Sequence, residues 1–203
     1  MQVALPALEA PARIVFGAGQ RFDDEAYFAF CAANPDLRIE RNSQGDIIIV
    51  PPAGGESSYR SMMVGEQLFR WARRDKRGKA LESSAEFMLP SGAAYAPDAA
   101  WVSNEKLARL TLEQRRKFLA LVPDFAIEVM SPSDRLPKAK TRARQWIDEG
   151  VELVWLIHGD KRTIYVYRPG QEPETKTEIR ELAGEGPVKG FVLKLGGIWA
   201  GLR

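Results

Sequence analysis

The sequence predicts a mixed α/β fold in which helices pack on a central sheet. Val64, Leu68 and Trp71 recur at the spacing that places them on one face of a long helix. Residues 152–158 and 162–167 are two apolar runs separated by a short segment that contains glycine, which is the pattern of a β-hairpin. Because both periodicities occur in the same chain, the sequence favours a sheet covered by helices.

The helical segments are recognised by their ends as well as by their apolar faces. Asn34-Pro35 ends the first helix, because the residue before a proline disfavours helical backbone. Gly150 is placed to cap the C-terminus of the last one. The predicted helices are residues 22–33, 56–74, 112–119 and 136–149.

The extended segments are short and are separated by residues that favour turns. Asn42-Ser43-Gln44-Gly45 separates the first two strands, and Gly159-Asp160 separates the two strands of the hairpin. The chain beyond residue 168 is expected to be mainly extended. The predicted strands are residues 37–41, 46–50, 80–82, 86–89, 96–102, 124–130, 152–158 and 162–167.

Length and composition limit the class of protein. Of the 203 residues, 45% are hydrophobic and 28% are charged, which is close to the globular average and sufficient for a core. We expect an N-terminal arm over residues 1–21, a single domain over residues 22–203, and a homodimer. No apolar run approaches the roughly 20 residues of a membrane-spanning helix, and no signal-peptide pattern is present, so we expect a cytoplasmic protein that does not bind membranes.

Cysteine and histidine usage excludes several kinds of site. Cys31 is the only cysteine and His158 is the only histidine. An intrachain disulfide is therefore excluded, and so are cysteine-rich zinc sites and metal sites that need two histidines.

Basic residues are concentrated in two segments of a chain whose net charge is only +2. Residues 70–79 contain six basic residues and one acid, and residues 135–144 contain five basic residues and no acid. Such clusters are compatible with a polyanionic partner. The alternative is that both are ordinary solvated helix faces.

Two acidic residues occupy positions that propensity does not favour. Asp98 follows Pro97 at the start of an apolar strand, and Glu128 lies inside the strand FAIEVM. A carboxylate in an apolar strand must be paired, hydrogen-bonded or bound to a metal, because desolvating it is costly. The ordinary explanation for each is a strand-end acid or an ion pair with arginine. Two carboxylates on neighbouring strands, followed by a basic helix, would instead suit Mg²⁺ or Mn²⁺. We expect Asp98 and Glu128 to lie on adjacent strands.

Several segments in this order resemble a known family. The matching segments are PAGGE at 52–56, SSAEFMLPSGA at 83–93, APDAAWV at 96–102, EVMSPSD at 128–134, residues 146–151 and VWLI at 154–157. Together they resemble the Uma2 family within the PD-(D/E)XK nuclease superfamily, which has the restriction-endonuclease-like fold. The resemblance implies a mixed central sheet flanked by helices. It also implies a metal held by Asp98, Glu128 and the carbonyl of Val129. Glu56 matches an acid that this family carries beside the site, although an acid at a helix N-terminus is also favoured by the helix dipole.

The sequence departs from the family pattern at the lysine. Met130 stands where the short form of the motif has lysine, and the family's alternative lysine position on the following helix is occupied by Arg142. Lysine can lose a proton to help generate hydroxide, whereas arginine cannot in practice. Lys138 and Lys140 flank the same helix face, so either could supply the amino group instead. The helix stripe that contains Trp146 should cover the sheet, and we expect Trp146 and Trp155 to be buried together.

The resemblance, together with the two acids and the basic segments, implies a Mg²⁺- or Mn²⁺-dependent endonuclease that hydrolyses phosphodiester bonds in DNA. The residues expected to do the chemistry are Asp98, Glu128, Arg142, Lys140, Lys138 and Glu56. One alternative is a nucleic-acid-binding protein that kept the fold and lost the chemistry, as the arginine at position 142 suggests. A second alternative is a protein that binds a partner through its terminal segments.

Overall fold

The structure is a computed structural model that describes residues 11–16 and 21–203. Within these residues the α-helices are α1 (Asp24–Ala32), α2 (Gly55–Asp75), α3 (Asn104–Ala108), α4 (Leu136–Asp148) and α5 (Gly196–Ala200). The strands are β1 (Ala12–Ile14), β2 (Arg38–Arg41), β3 (Ile47–Val50), β4 (Gly78–Glu82), β5 (Phe87–Met88), β6 (Ala94–Tyr95), β7 (Ala99–Ser103), β8 (Phe125–Val129), β9 (Leu153–His158), β10 (Thr163–Tyr167), β11 (Glu174–Thr177), β12 (Glu181–Ala183) and β13 (Val192–Lys194). None of the described helices is long and apolar enough to cross a membrane.

The chain forms two compact units. Unit 1 comprises the described residues up to Pro52 together with Glu86–Ala96 and Thr111–Leu121. Unit 2 comprises Ala53–Ala85, Pro97–Leu110 and Val122–Arg203. Most of the predicted arm lies outside the described residues, and its described part includes β1. The division into an arm and a single domain stays a prediction.

Unit 1 is a small antiparallel sheet packed against α1. The strand order is β1-β3-β2-β6-β5. Asp23 caps α1 by accepting a hydrogen bond from the backbone N–H of Ala26, which satisfies one of the donors that a helix N-terminus leaves unpaired. The core contains Tyr27 and Phe30 from α1 and the apolar side chains of β2 and β3.

Glu86 lies in unit 1 and is almost fully buried, with 7% of its surface exposed. The Tyr27 hydroxyl donates a hydrogen bond to its carboxylate. Burial raises the pKa of Glu86 to about 7, and the negative charge of Glu40 adds to this effect, while Tyr27 and Arg41 oppose it. The folded protein therefore holds a proton on Glu86 at pH values where an exposed glutamate has lost it.

We expect Glu86 to make the folded state less stable as the pH rises. Below about pH 4.5 the carboxyl is protonated in both the folded and unfolded states, whereas between 4.5 and 7 it ionises only in the unfolded state. The loss is about 1.4 kcal/mol for each unit by which the pKa is raised. Glu86→Gln keeps an acceptor for Tyr27 and removes the titration. Chemical unfolding of both proteins across this range should show the variant gaining stability relative to the parent, and a difference independent of pH would contradict the assignment.

Unit 2 carries a six-stranded mixed sheet in the order β11-β10-β9-β8-β7-β4. Strands β8 and β9 are parallel, and the other neighbours are antiparallel. On one face, α2 contributes Val64, Leu68 and Ala72 to the main core. On the other face, α4 buries Ala143 and Trp146. The predicted fold class, a mixed sheet flanked by helices, is confirmed.

The predicted hairpin is confirmed, but Gly159 is favoured for a reason other than the conformation of the turn. Strand β9 pairs antiparallel with β10, with His158 opposite Thr163. The positive φ of the turn is at Arg162, at 45°. A Cβ on Gly159 would lie 2.5 Å from Cζ of the Arg60 guanidinium. A side chain at this position would have to displace the buried Arg60 guanidinium, which favours glycine here.

Trp146 and Trp155 are both buried, but they lie on opposite faces of the sheet. Trp155 belongs to the core covered by α2 and stacks with Phe191. Trp146 instead donates a hydrogen bond to Glu128, whose strand neighbour Ile127 faces the α2 side. Because successive side chains of a strand point to opposite faces, the expectation that the two tryptophans are buried together was wrong.

The short helical segments differ from prediction, and α3 lies where no helix was expected. Residues 112–119 contain only a single turn of 3₁₀ helix, Gln114–Arg116. The reason is the lack of an apolar face, since Leu112 is exposed and the next five residues are polar or charged. The short helix α5 was not predicted, because two glycines open it. Ile198 anchors α5 in the core.

Candidate metal centre

Asp98 and Glu128 lie at the same end of two neighbouring strands. Strands β7 and β8 are antiparallel, with Ala99 opposite Ile127. Asp98 lies one residue before this pair, at a bend that precedes β7, and Glu128 lies one residue after it in β8. The Asp98 carboxylate accepts a hydrogen bond from the backbone N–H of Val129, the residue that follows Glu128, so it lies beside this end of β8.

The Asp98 carboxylate is held from two elements. The backbone N–H of Val129 donates to Oδ2 at 2.7 Å, and the Ser61 hydroxyl of α2 donates to Oδ1 at 2.9 Å. The last paired residues of β7 and β8 at this end are Ala99 and Ile127. The N–H of Val129 therefore lies beyond the last backbone pair on the side of β7. The aspartate side chain replaces the missing strand residue, which explains why an acid is tolerated next to an apolar strand.

The Glu128 carboxylate is held by α4. Trp146 Nε1 donates to Oε1 of Glu128 at 2.6 Å, and Arg142 Nε lies 3.5 Å from the same oxygen. Arg142 and Trp146 are one helical turn apart, so they present their polar groups to one point. The side chains of Arg142 and Glu128 are 21% and 17% exposed, so this ion pair is partly shielded from water.

Strand geometry directs the Val129 carbonyl to the same place. The N–H of Met130 donates to the carbonyl of Ile157 in β9, so residue 130 presents its backbone groups to β9. Backbone groups of the preceding residue point the opposite way. The N–H and the C=O of Val129 therefore face the side where Asp98 lies.

The two lysine candidates lie elsewhere on α4. Lys140 Nζ stands 4.2 Å above the ring of Tyr165 in β10. In the sheet, β10 is two strands from β8, a separation of about 10 Å. Lys138 is exposed in the first turn of the helix. Of the three cationic candidates, Arg142 is the one in contact with Glu128.

Glu56 is engaged in a different network. Its carboxylate pairs with Arg60 at 2.7 Å and accepts a hydrogen bond from the N–H of Leu202 at 3.2 Å. Arg60 is 2% exposed, also pairs with Asp160 at 2.9 Å, and donates to the carbonyl of Ile198. These contacts join the N-terminus of α2 to the β9–β10 turn and to the C-terminal segment.

The chemistry of Asp98, Glu128 and Val129 fits a divalent cation that prefers oxygen. Two carboxylates and one carbonyl supply hard ligands, and Mg²⁺ usually completes its octahedron with water. An ionised carboxylate has about four acceptor sites, so a hydrogen bond does not prevent it from binding a metal. In the described ranges, no group of three or more His, Cys, Asp or Glu side chains is placed to hold an ion. A metal at this position would therefore rely on two acids, Asp98 and Glu128.

Two contacts were not predicted from the sequence. Trp146 was expected only as a core residue, and its indole N–H proved to be a partner of Glu128. Ser61 was not singled out, although a signal exists. Ser57 and Ser61 continue the stripe of Val64 and Leu68 toward the N-terminus of α2, so the apolar face becomes polar where it passes the ends of the strands.

Comparison with known proteins identifies the family. The chain matches the family described as "Uma2: Putative restriction endonuclease" over residues 24–196. It belongs to that family. A solved structure described as a putative nuclease belonging to DUF820, from Anabaena variabilis, is 20% identical, with a TM-score of 0.66 over 81% of this chain and 91% of that chain. At this identity the likeness establishes the fold. No curated protein sequence matches.

Proposed function

We propose that the protein is a Mg²⁺- or Mn²⁺-dependent endonuclease that hydrolyses phosphodiester bonds in DNA. The observation that carries the proposal is the contact between Asp98 and the Val129 N–H at 2.7 Å, because it holds the Asp98 carboxylate beside Glu128 and Val129, which would supply the other ligands. Membership of a family of restriction-endonuclease type supports it. A metal bound there would lower the pKa of a water molecule and neutralise charge on the scissile phosphate.

The surrounding residues orient the two carboxylates by hydrogen bonds and place a positive charge beside Glu128. Ser61 orients Asp98, and Trp146 orients Glu128. The Arg142 guanidinium keeps its charge beside Glu128, where it can hold a water molecule or stabilise negative charge that develops on the phosphate. It does not act as a base, because arginine is not deprotonated in proteins.

Basic side chains on α2 could bind the nucleic-acid backbone. Arg73 and Arg74 are exposed, and the Arg73 guanidinium lies 5.9 Å from the ring centre of exposed Phe69. Arg70 is neutralised locally by Glu66. Ser61 and Arg73 are separated by about 18 Å along the helix, a length that about five base pairs of duplex span.

A second candidate function is nucleic-acid binding without cleavage. It is favoured by the ion pair of Arg142 with Glu128, because a fixed cation next to a ligand carboxylate opposes the binding of a second cation. A plasmid DNA assay separates the two candidates. The nuclease predicts nicking or linearisation with Mg²⁺ or Mn²⁺ and none with EDTA. Salt-dependent binding with no cleavage of duplex or single-stranded DNA would support the second candidate.

The expected homodimer is a separate part of the proposal. Light scattering on the protein without DNA tests it, because this measurement gives the mass of the particle in solution.

The Arg142→Lys variant is expected to cleave faster than the parent. A lysine at this position could exchange a proton with a water molecule, and positioned general acids and bases contribute roughly 100-fold or more. We expect a gain on the order of tenfold in kcat, with an optimum shifted to higher pH. A different result would contradict this role of position 142. If Arg142→Lys cleaves at the parental rate while Lys138→Ala or Lys140→Ala is inactive, the catalytic amine belongs to one of those two lysines.

A further inference from the structure

We infer that Ser61 is a positioning residue for the proposed metal centre, an inference that rests on the proposed function. Its hydroxyl donates to Oδ1 of Asp98 at 2.9 Å, while the Val129 N–H donates to Oδ2. Two donors on different oxygens, from a helix and from a strand, fix the rotation of the carboxylate. Ser61 thus acts through Asp98, with no contact to substrate implied.

The helical turn that carries Ser61 is anchored firmly. Arg60, its neighbour in the chain, is buried and pairs with Asp160 at 2.9 Å in the β9–β10 turn. Its Nε donates to the carbonyl of Ile198 at 3.1 Å. Because β9 is the parallel neighbour of β8, this contact fixes α2 relative to the strand that supplies Glu128 and Val129. The hydroxyl of Ser61 is therefore presented from a rigid support.

Ser57 provides an internal comparison. It lies one helical turn before Ser61 and is 5% exposed, yet its hydroxyl has no hydrogen-bond partner within the described part of the chain. Both serines have the same chemistry on the same helix, and Ser61 is the one in contact with Asp98. An effect of the Asp98 contact can thus be separated from a general effect of a serine in α2.

Losing the Ser61 hydroxyl should weaken cation binding. The Asp98 carboxylate would keep its charge but lose one of the donors that orient it. Hydrogen-bond partners of metal ligands typically contribute 10- to 100-fold to metal affinity. Since alanine is favoured in helices, Ser61→Ala should retain the fold. Ser61→Thr keeps a hydroxyl on the same carbon and should retain most of the affinity.

Calorimetric titration of the full chain with MnCl₂, without DNA, tests the inference. We expect Ser61→Ala to raise the Kd for Mn²⁺ by about tenfold, and Ser57→Ala to leave it unchanged, with the melting temperatures in EDTA checked for both. Equal Kd values for the parent and Ser61→Ala would overturn the inference and leave the proposed function intact. Equal weakening by Ser57→Ala would also overturn it, because the effect would then come from the helix as a whole. A parent protein that binds no Mn²⁺ would overturn both.

Discussion

Glu128→Gln is expected to lower the rate of DNA cleavage by at least about 100-fold, since even the partners of metal ligands can contribute that much. The amide has the size of the carboxylate and can still accept the hydrogen bond from Trp146, so the fold should persist. It carries no charge, so it is a poor ligand for Mg²⁺. Asp98→Asn should be equally damaging. The measurement is the single-turnover cleavage rate of a defined duplex at saturating Mg²⁺.

DNA binding should survive these substitutions. Removing a negative charge near phosphates takes away repulsion, so the affinity for DNA in EDTA should be equal to or higher than that of the parent. Glu105→Gln is the matched control, because Glu105 is an exposed acid of the same unit that pairs with Arg109. A Glu128→Gln variant that cleaves at the parental rate would remove Glu128 from the site.

Arg60→Ala is expected to have the largest effect on stability. The side chain is 2% exposed and makes ion pairs with Glu56 and Asp160 and a hydrogen bond to the Ile198 carbonyl. Its removal leaves two carboxylates facing each other and a buried carbonyl without its donor. Breaking a buried ion pair typically destabilises by about 3–5 kcal/mol. Since both acids are partly exposed, we expect a loss of about 3 kcal/mol in the free energy of unfolding, measured by chemical denaturation.

Arg70→Ala is the control for Arg60→Ala. Arg70 lies on the same helix and pairs with Glu66 at the same four-residue spacing, but its side chain is 66% exposed. Exposed pairs contribute about 0.2–1 kcal/mol, so this variant should remain close to the parent. Equal losses of unfolding free energy in the two variants would show that the buried contacts of Arg60 stabilise unit 2 no more than an exposed ion pair does.

The role of Glu56 can be examined by chemical denaturation and by calorimetric titration with MnCl₂. Its contacts favour a structural role, because they are to Arg60 and to the backbone of Leu202. We therefore expect Glu56→Gln to lower the free energy of unfolding while the affinity for Mn²⁺ remains close to that of the parent. The family resemblance instead predicts that Glu56→Gln lowers the affinity for Mn²⁺ more than it lowers the free energy of unfolding. The two measurements therefore decide whether Glu56 has a structural role or a role at the metal site.

Local sequence signals predicted the sheet of unit 2 well. Apolar runs with glycine-containing turns give strands wherever both faces of a sheet are covered, as in β8, β9 and β10. The faces were harder to predict. Trp146 and Trp155 are both apolar and central, and only the register of β8 and β9 shows that they lie on opposite sides.

The contacts that organise the candidate site were beyond local sequence reasoning. Ser61 reaches Asp98 across 37 positions, and Arg60 reaches Ile198 across 138 positions. The helical spacing of α2 places Ser61 on the face that packs on the sheet, but it does not identify Asp98 as its partner. The adjacency of β7 and β8 could be anticipated because these strands are short and consecutive. Which of Arg142, Lys138 and Lys140 contacts Glu128 could not, because it depends on how α4 is rotated on the sheet.

Crystals of the protein grown with MnCl₂ provide the most direct test of the central claim. The account predicts an anomalous diffraction peak in contact with the carboxylates of Asp98 and Glu128 and with the carbonyl of Val129. Loss of that peak in the Glu128→Gln variant would support the assignment further. Well-ordered crystals of the parent protein with no manganese between these residues, or with manganese bound elsewhere, would contradict it.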